Sequence, residues 1–480
     1  MSVVVAVDAG TTGVRSFAVR ADGTAAGFAY REFTQHFPQP GWVEHDATEI
    51  WGAVQATLAE LVSRLEEPIA AIGITDQRET VVAWDRRTGQ PLHRAIVWQD
   101  RRTAARCDQL REEGFEPFVR STTGLVLDPY FTATKAEWLL TRGGVAVTPD
   151  LAIGTIDAWV LWNLTGGPNG GVLATEPSNA SRTLLFDIRA RAWSPELLDR
   201  FGVPASALPE VRPSSGRFGV TAADTGAPAG IPVSGIAGDQ QAALFGQACL
   251  EPGMTKNTYG TGSFVLMHVG DTCPEPVEGL LTTVGWTLAD GTTAYALEGA
   301  IFVTGAAVQW LRDGLGIIES ADDIAALAAT VPDAEGCFLV PAFTGLGSPW
   351  WDPYARGTIV GITRGTGRGH LARAVLESIS LQTRDVVLAM SEASGYPIRA
   401  LKADGGAAAN DLLLQLQADD LQVPVSRPVV QETTALGAAY LAGLAEGVWS
   451  STDDIAANWR LDATFEPLAD PAAIETKASA

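Results

Sequence analysis

The chain has 480 residues, more than one hydrophobic core can serve, and at roughly one domain per 150 residues two or three lobes around a cleft are expected. Apolar residues at 46%, charged residues at 19%, 50 Gly and 27 Pro match an ordinary globular composition and exclude a disordered, collagen-like or coiled-coil chain. Thirty-three basic against 56 acidic side chains leave a formal charge of −23, a field that repels nucleic acid and anionic membranes, so any phosphate ligand must be held locally.

In chain order, Val3 to Val7 is a β-branched strand ending in Asp8. The tight segment Ala9-Gly10-Thr11-Thr12-Gly13 leads into a second strand, Val14 to Val19, and Asp22-Gly23 turns the chain into a third, about Ala25 to Phe33. Asp46-Ala47-Thr48-Glu49 has capping-box spacing, and Ile50, Val54, Leu58, Leu61 and Leu65 then share one helical face. Short strands Ala70 to Thr75, Val81 to Trp84 and Ala95 to Trp98 follow, with the polar loop Asp76-Gln77-Arg78-Glu79 between the first two. From Met254 the opening recurs in outline: a strand to Thr258, the turn Tyr259-Gly260-Thr261-Gly262-Ser263, and a strand from Phe264 to Val269. A helix spans about His370 to Ser394, and the strand Leu401 to Ala403 runs through Asp404-Gly405-Gly406 into another helix. Strands mixed with helices indicate an α/β protein of two similar halves, 1–247 and 248–480.

The commonest nucleotide signatures are absent. No lysine follows a glycine as a P-loop requires, and no stretch satisfies GxGxxG. Two Gly/Thr turns remain, each joining consecutive strands; either alone reads as an ordinary hairpin. Two of them, with Asp8 before the first to hold a hydrated Mg²⁺ and Arg15 after it to meet a phosphate, favour a pair of anion-binding nests. Asp239 follows the apolar strand that ends Gly235-Ile236-Ala237-Gly238; local sequence favours a helix cap there, and a carboxylate in that place would also suit a general base deprotonating a hydroxyl that attacks phosphorus. Arg78-Glu79 reads either as a surface ion pair or as the donor and acceptor that a polyol needs. Trp98, Tyr130 and Phe264 are aromatic residues at strand ends or turns, a position that ordinarily means core. The four cysteines, Cys107, Cys249, Cys273 and Cys337, form no CxxC pair, the five histidines have no metal-like spacing, and the opening MSVVVAVDAG lacks a basic leader. The longest strictly apolar run, Ala435 to Ala445, is about half of a ~20-residue membrane span, so a soluble cytoplasmic protein is expected.

Taken together these motifs resemble the FGGY family of carbohydrate kinases nearly end to end. The resemblance runs through DAGTTGVR (8 to 15), PGWVEHDATEIW (40 to 51), GITDQRET (73 to 80), AIVWQDRRTA (95 to 104) and GLVLDPYF (124 to 131). It continues in IAGDQQAALFGQ (236 to 247), NTYGTGSF (257 to 264), PAFTGLGSPWWDPYARG (341 to 357), DGGAAAN (404 to 410) and TALGAAYLAGL (434 to 444). It implies two actin-like, ribonuclease H-like lobes closing over a cleft, and transfer of the γ-phosphate of ATP to glycerol. By position it implies glycerol held by Arg78, Glu79, Tyr130, Asp239 and Gln240 between Trp98 and Phe264, with Asp239 as base. Thr11, Thr12, Gly13, Arg15 and Thr261 would meet phosphates, Gly305, Gln309, Gly406 and Asn410 would line the nucleotide side, and Asp8 and Asp239 would hold Mg²⁺ through water. A homodimer or homotetramer is also implied. Another polyol or a ketose as acceptor, or an actin-like ATPase with no acceptor, are the competing readings. Ala9 and Gly13-Val14 depart from the family pattern by removing side chains near the phosphates, while the backbone donors survive. The loop Thr225 to Gly230 has no arginine where fructose 1,6-bisphosphate binds in some relatives, so that inhibition is expected to be weak or absent; half-inhibition at micromolar bisphosphate would contradict this.

Overall fold

A computed structural model describes residues 2–479. Two large sheets carry the chain, and their strands pair in the same sense and sequence. In the first, β1 (Val3–Ala9), β2 (Gly13–Arg20), β3 (Ala25–Glu32), β4 (Ile69–Asp76), β5 (Ser215–Val220) and β6 (Pro232–Gly238) lie in the order β5-β6-β4-β1-β2-β3. The first three strands form an antiparallel meander, β1, β4 and β6 run parallel, and β5 returns antiparallel at the edge. The second sheet is built from β7 (Thr255–Tyr259), β8 (Ser263–His268), β9 (Leu281–Thr287), β10 (Thr293–Ile301), β11 (Leu401–Asp404), β12 (Val425–Pro428) and β13 (Leu461–Phe465). Its order is β9-β10-β8-β7-β11-β12-β13: β10, β8 and β7 are the meander, β7, β11 and β12 run parallel, β13 is antiparallel, and β9 is an added edge strand. The halves thus share one topology, that of two actin-like, ribonuclease H-like lobes.

Local chemistry accounts for the elements. β1 sits mid-sheet with Val3 to Val7 fully buried, which is why it reads as an uninterrupted apolar run rather than an alternating one. The helix α1 (Ala47–Val62) starts at Asp46, whose carboxylate accepts from the Thr48 N–H, and buries Ile50, Val54, Leu58 and Leu61 on the sheet. Glu49 does not complete the capping box that its spacing suggests. Its carboxylate accepts instead from the Thr34 N–H at 2.9 Å, tying the helix to the preceding loop. Each lobe has its own core, and a third apolar cluster, around Leu125, Phe131 and Phe201, fills the inserted region between β4 and β5.

The lobes are joined by backbone contact. The helix α2 (Asp239–Gly246) follows β6, and α5, the last long helix of the second half (Thr433–Ala445), packs on α2, β4 and β6 of the first. Between them stand α3 (Arg368–Ser394) and α4 (Asp411–Leu421) of the second lobe. The apolar run at 435–445 is therefore an inter-lobe helix, buried with Ala6, Ala71, Ala237 and Phe245. A Cβ on Gly437 would collide with the Ala242 carbonyl oxygen, and one on Gly73 with that of Ala438. No helix among the described residues is long and apolar enough to cross a membrane.

Adding a methyl group at this seam is expected to cost about 1–3 kcal/mol or more for Gly437→Ala. Gly52→Ala, in the middle of α1 with open space where its Cβ would go, is expected to gain about 0.5–1 kcal/mol. Urea unfolding of both variants checks this, and equal effects would contradict it.

Candidate active site

β4 delivers the loop that carries Arg78 and Glu79 from the sheet's carboxyl end, and β6 delivers Asp239 beside it; Gly238 pairs with Asp76 across the two strands. Asp76 is itself buried, accepting from Asn179 Nδ2 at 2.9 Å, and burial together with nearby Asp157 raises its pKa. Arg78 and Glu79 are not a solvated surface pair, since both side chains are 1% exposed. Glu79 adopts φ 62°, a left-handed conformation uncommon for glutamate, and the consecutive side chains of Arg78 and Glu79 join one buried ionic cluster.

Arg78 is the hub. Its Nη1 and Nη2 donate to Glu298 at 2.5 and 3.1 Å, Nη2 also donates to the Tyr130 hydroxyl at 3.3 Å, and Nε lies 3.1 Å from Asp239 Oδ1. Gln241 Oε1 accepts from Nη1 at 3.1 Å. Arg182 completes the cluster, donating from Nε to Glu79 at 2.7 Å and from Nη2 to Glu298 at 2.8 Å, with its guanidinium over the Tyr130 and Phe131 rings. Two guanidinium and two carboxylate groups are thus interleaved out of water. Burial pushes Glu79 up, opposed by both arginines. In Glu298 burial acts the same way, but Arg182 and Arg78 outweigh it and hold the carboxyl below the usual range. Trp98 meets Tyr130 and Phe264 edge to face at 5.6 and 6.3 Å, and Phe264 lies under the Arg78 guanidinium, so the aromatic residues wall the charged cluster. Asp239 begins α2 after the capping residue Gly238; its side chain accepts from the Gln240 N–H and stays 31% exposed.

The first Gly/Thr turn closes through Gly10 N–H to the Gly13 carbonyl at 3.0 Å, and Thr12 projects outward. The Trp98 indole N–H donates to Thr11 Oγ1 at 3.0 Å, which couples the aromatic wall to this turn. Burial pushes Asp8 up to about 7, with Arg15 opposing the shift and Asp239 adding to it. Arg15 itself pairs with Glu432 and lies over the Phe28 and Tyr30 rings. The second turn closes through Gly260 N–H to Gly262 at 2.8 Å and leaves Thr261 exposed. Gly305 N–H donates to the Gly260 carbonyl, and Gly405 sits against Tyr259 too closely for any Cβ, so Thr261, Gly305 and Gly406 gather at one turn. The space where a Cβ on Gly406 would stand is open. Gln309 ends the short helix that Gly305 begins and is exposed, while Asn410 caps α4 through Oδ1 to the Leu413 N–H.

Sequence reasoning missed Arg182, Gln241, Glu298 and Lys256. Glu298 carried a signal, being the one charge in the otherwise uncharged strand TAYALEGAI. Lys256 is fully buried on β7, where burial pulls its pKa down to about 8. Arg182 had no local signature.

Family models describe both halves: the N-terminal domain of the FGGY family of carbohydrate kinases matches residues 3–246, and its C-terminal domain matches 255–446. A glycerol kinase of Carboxydothermus hydrogenoformans is 56% identical over 474 residues, covering 97% of this chain and 94% of the relative. The crystal structure of Plasmodium falciparum glycerol kinase with ADP superposes with a TM-score of 0.91 at 32% identity, covering 100% of this chain and 96% of that one. Ligand-bound xylulose kinase from Lactobacillus acidophilus has a TM-score of 0.89 at 22% identity over 100% and 96% of the two chains, a likeness of fold.

Removing Glu298 takes away the one acid that both guanidinium groups share, leaving Arg182 with Glu79 and Arg78 with the partly exposed Asp239. Glu298→Gln is therefore expected to cost about 3–5 kcal/mol of stability. Arg64→Ala, which breaks an exposed pair with Glu60, should leave the urea midpoint unchanged. Similar midpoints for Glu298→Gln and the wild type would contradict the role assigned to the cluster.

Proposed function

The chain belongs to the FGGY family of carbohydrate kinases, and on that premise we propose that it transfers the γ-phosphoryl group of ATP to glycerol, giving sn-glycerol 3-phosphate and ADP. The observation that carries the reading is the geometry around Arg78: one buried guanidinium contacts Asp239 and Tyr130 and lies over Phe264, and the same aromatic wall is hydrogen-bonded to the first phosphate turn. A small polyol needs this combination of donors, acceptors and apolar walls. A protein that only hydrolyses nucleotide does not.

In this reading Arg78 and Glu79 bind two hydroxyls of glycerol, Tyr130 and Gln240 add further polar contacts, and Trp98 and Phe264 pack on its carbon edge. Asp239 accepts the proton of the attacking hydroxyl as that oxygen bonds to the γ-phosphorus and the bond to the bridging β,γ-oxygen breaks, leaving with ADP. Arg78 keeps the Asp239 carboxylate aimed at that hydroxyl. Backbone donors of the first turn, with Thr11, Thr12, Gly13 and Arg15, hold the transferred phosphoryl from one lobe and Thr261 holds it from the other, while Gly305, Gln309, Gly406 and Asn410 line the nucleotide. The first lobe, 1–247, would then carry the polyol and the second, 248–480, the nucleotide. Closing the lobes excludes water and keeps the phosphoryl group from hydrolysis.

Mg²⁺ fits the acids present. Burial is the main reason that Asp8 resists ionisation, with a smaller contribution from the charge of Asp239, and a divalent cation held there would favour the ionised carboxylate. Asp8 and Asp239 would hold the ion; among the described residues no group of three or more acid, histidine or cysteine side chains is placed to hold a metal. The ion would supply charge neutralisation on the phosphates. A cytoplasmic location and a homodimer or homotetramer belong to the same reading.

Asp239→Asn is expected to lower kcat for glycerol-dependent ADP release by roughly 10²- to 10⁴-fold, the range for loss of a general base. The asparagine oxygen still accepts from Arg78, so folding should be retained, as thermal unfolding would verify. A kcat within about threefold of wild type would overturn the role of Asp239 as base.

A further inference from the structure

One buried cation near the site has no part in the chemistry described so far. Lys256 is completely inaccessible on β7, cross-strand from Leu266, and no carboxylate among the described residues lies within salt-bridge reach of it. Its three donors go to neutral acceptors: Gln240 Oε1 at 2.5 Å, Thr258 Oγ1 at 2.8 Å and the Phe264 carbonyl at 3.4 Å. Burying an ammonium group without a paired acid is costly, and a core that needed only volume would be better served by leucine or methionine. The contact at 2.5 Å is with the residue next to Asp239, and it crosses from the second lobe to the first.

An ammonium group has donors only, so the Gln240 side chain must present its oxygen to Lys256 and its Nε2 hydrogens elsewhere. Those hydrogens have no partner among the described residues, although Gln240 is only 6% exposed. We infer that Lys256 is a positioning residue of the polyol site: by holding Gln240 Oε1 it orients the amide so that Nε2 donates to the oxygen of the attacking hydroxyl while that hydroxyl donates to Asp239. The two contacts together fix both the proton and a lone pair of the nucleophile. With the amide reversed, Gln240 would compete with Asp239 for the same proton and leave the lone pair unheld. Lys256 also ties the orientation of the first lobe's nucleophile site to β7, the strand that leads into the second phosphate turn. The inference rests on the polyol-kinase reading above.

The test is steady-state ADP release at varied glycerol and at varied ATP, for wild type, Lys256→Met, Gln240→Ala and the double variant. Lys256→Met is expected to raise KM for glycerol at least tenfold while KM for ATP stays within about twofold. The double variant is expected to be within about twofold of Gln240→Ala, because Lys256 acts only through Gln240. An unchanged glycerol KM in Lys256→Met, equal rises in both KM values, or multiplying effects in the double variant would each overturn it. Should Lys256→Met not fold, Gln240→Glu decides: it keeps the lysine contact as an ion pair but removes the Nε2 donors, so glycerol KM should again rise at least tenfold in a folded protein, and wild-type KM would overturn the inference. Wild-type enzyme that shows no glycerol-dependent turnover would remove the parent reading itself, a result distinct from all of these.

Discussion

Glu298 accepts from two arginines at once, Arg78 and Arg182, deep between the lobes, and the rest of the site is arranged around that contact. An acid on the second sheet holds two cations of the first half, and one of those cations in turn aims Asp239 while the other holds Glu79. Taking four charges out of water is unfavourable unless each finds an opposite partner, so the cluster tolerates only a narrow set of side-chain positions. A polyol has no charge of its own to orient it, and its hydroxyls can bind in many ways to mobile groups. Fixing donors and acceptors in advance by a closed ionic lattice restricts that choice before the substrate arrives.

The two sheets provide the second constraint. Because they repeat one topology, each presents a Gly/Thr turn between its first two meander strands, and the α5 seam holds both lobes on a common backbone framework. The first turn is linked through Thr11 to Trp98 and thus to the polyol wall, and the second leads from the strand that carries Lys256. In the proposed reading the phosphate and acceptor sites are therefore mechanically continuous. Movement of one lobe against the other would carry a phosphate turn and part of the acceptor site together, as in-line phosphoryl transfer requires.

Much of this was legible from the residues. β1, α1 and the repeated strand-turn-strand units declare themselves through short-range patterns, uninterrupted β-branched runs and helical spacing, that survive whatever packs against them. Arg78-Glu79 and Asp239 stood out because each follows a strand directly. What local pattern did not disclose was the burial of Arg78 and Glu79, which depends on Glu298, 220 residues away along the chain, and on Arg182. The apolar run at 435–445 was visible as an apolar stretch, but its burial between lobes depends on glycines at 73, 235 and 246 that lie on other elements. The capping-box spacing at 46–49 shows the opposite failure: the local pattern is present, and Glu49 is drawn to Thr34 by a loop that no window around the helix contains.

The central claim is that the charged lattice forms a site for a small polyol on which ATP acts, and a panel of acceptors tests it most directly. ADP release from Mg-ATP by the wild-type protein would be followed with no acceptor, glycerol, xylulose, gluconate and other polyols. The account predicts strong stimulation by glycerol, with kcat/KM well above that for the larger sugars and negligible turnover without an acceptor. Preferred turnover of a ketose would keep the fold and contradict the acceptor, and acceptor-independent hydrolysis at the full rate would contradict the kinase account itself.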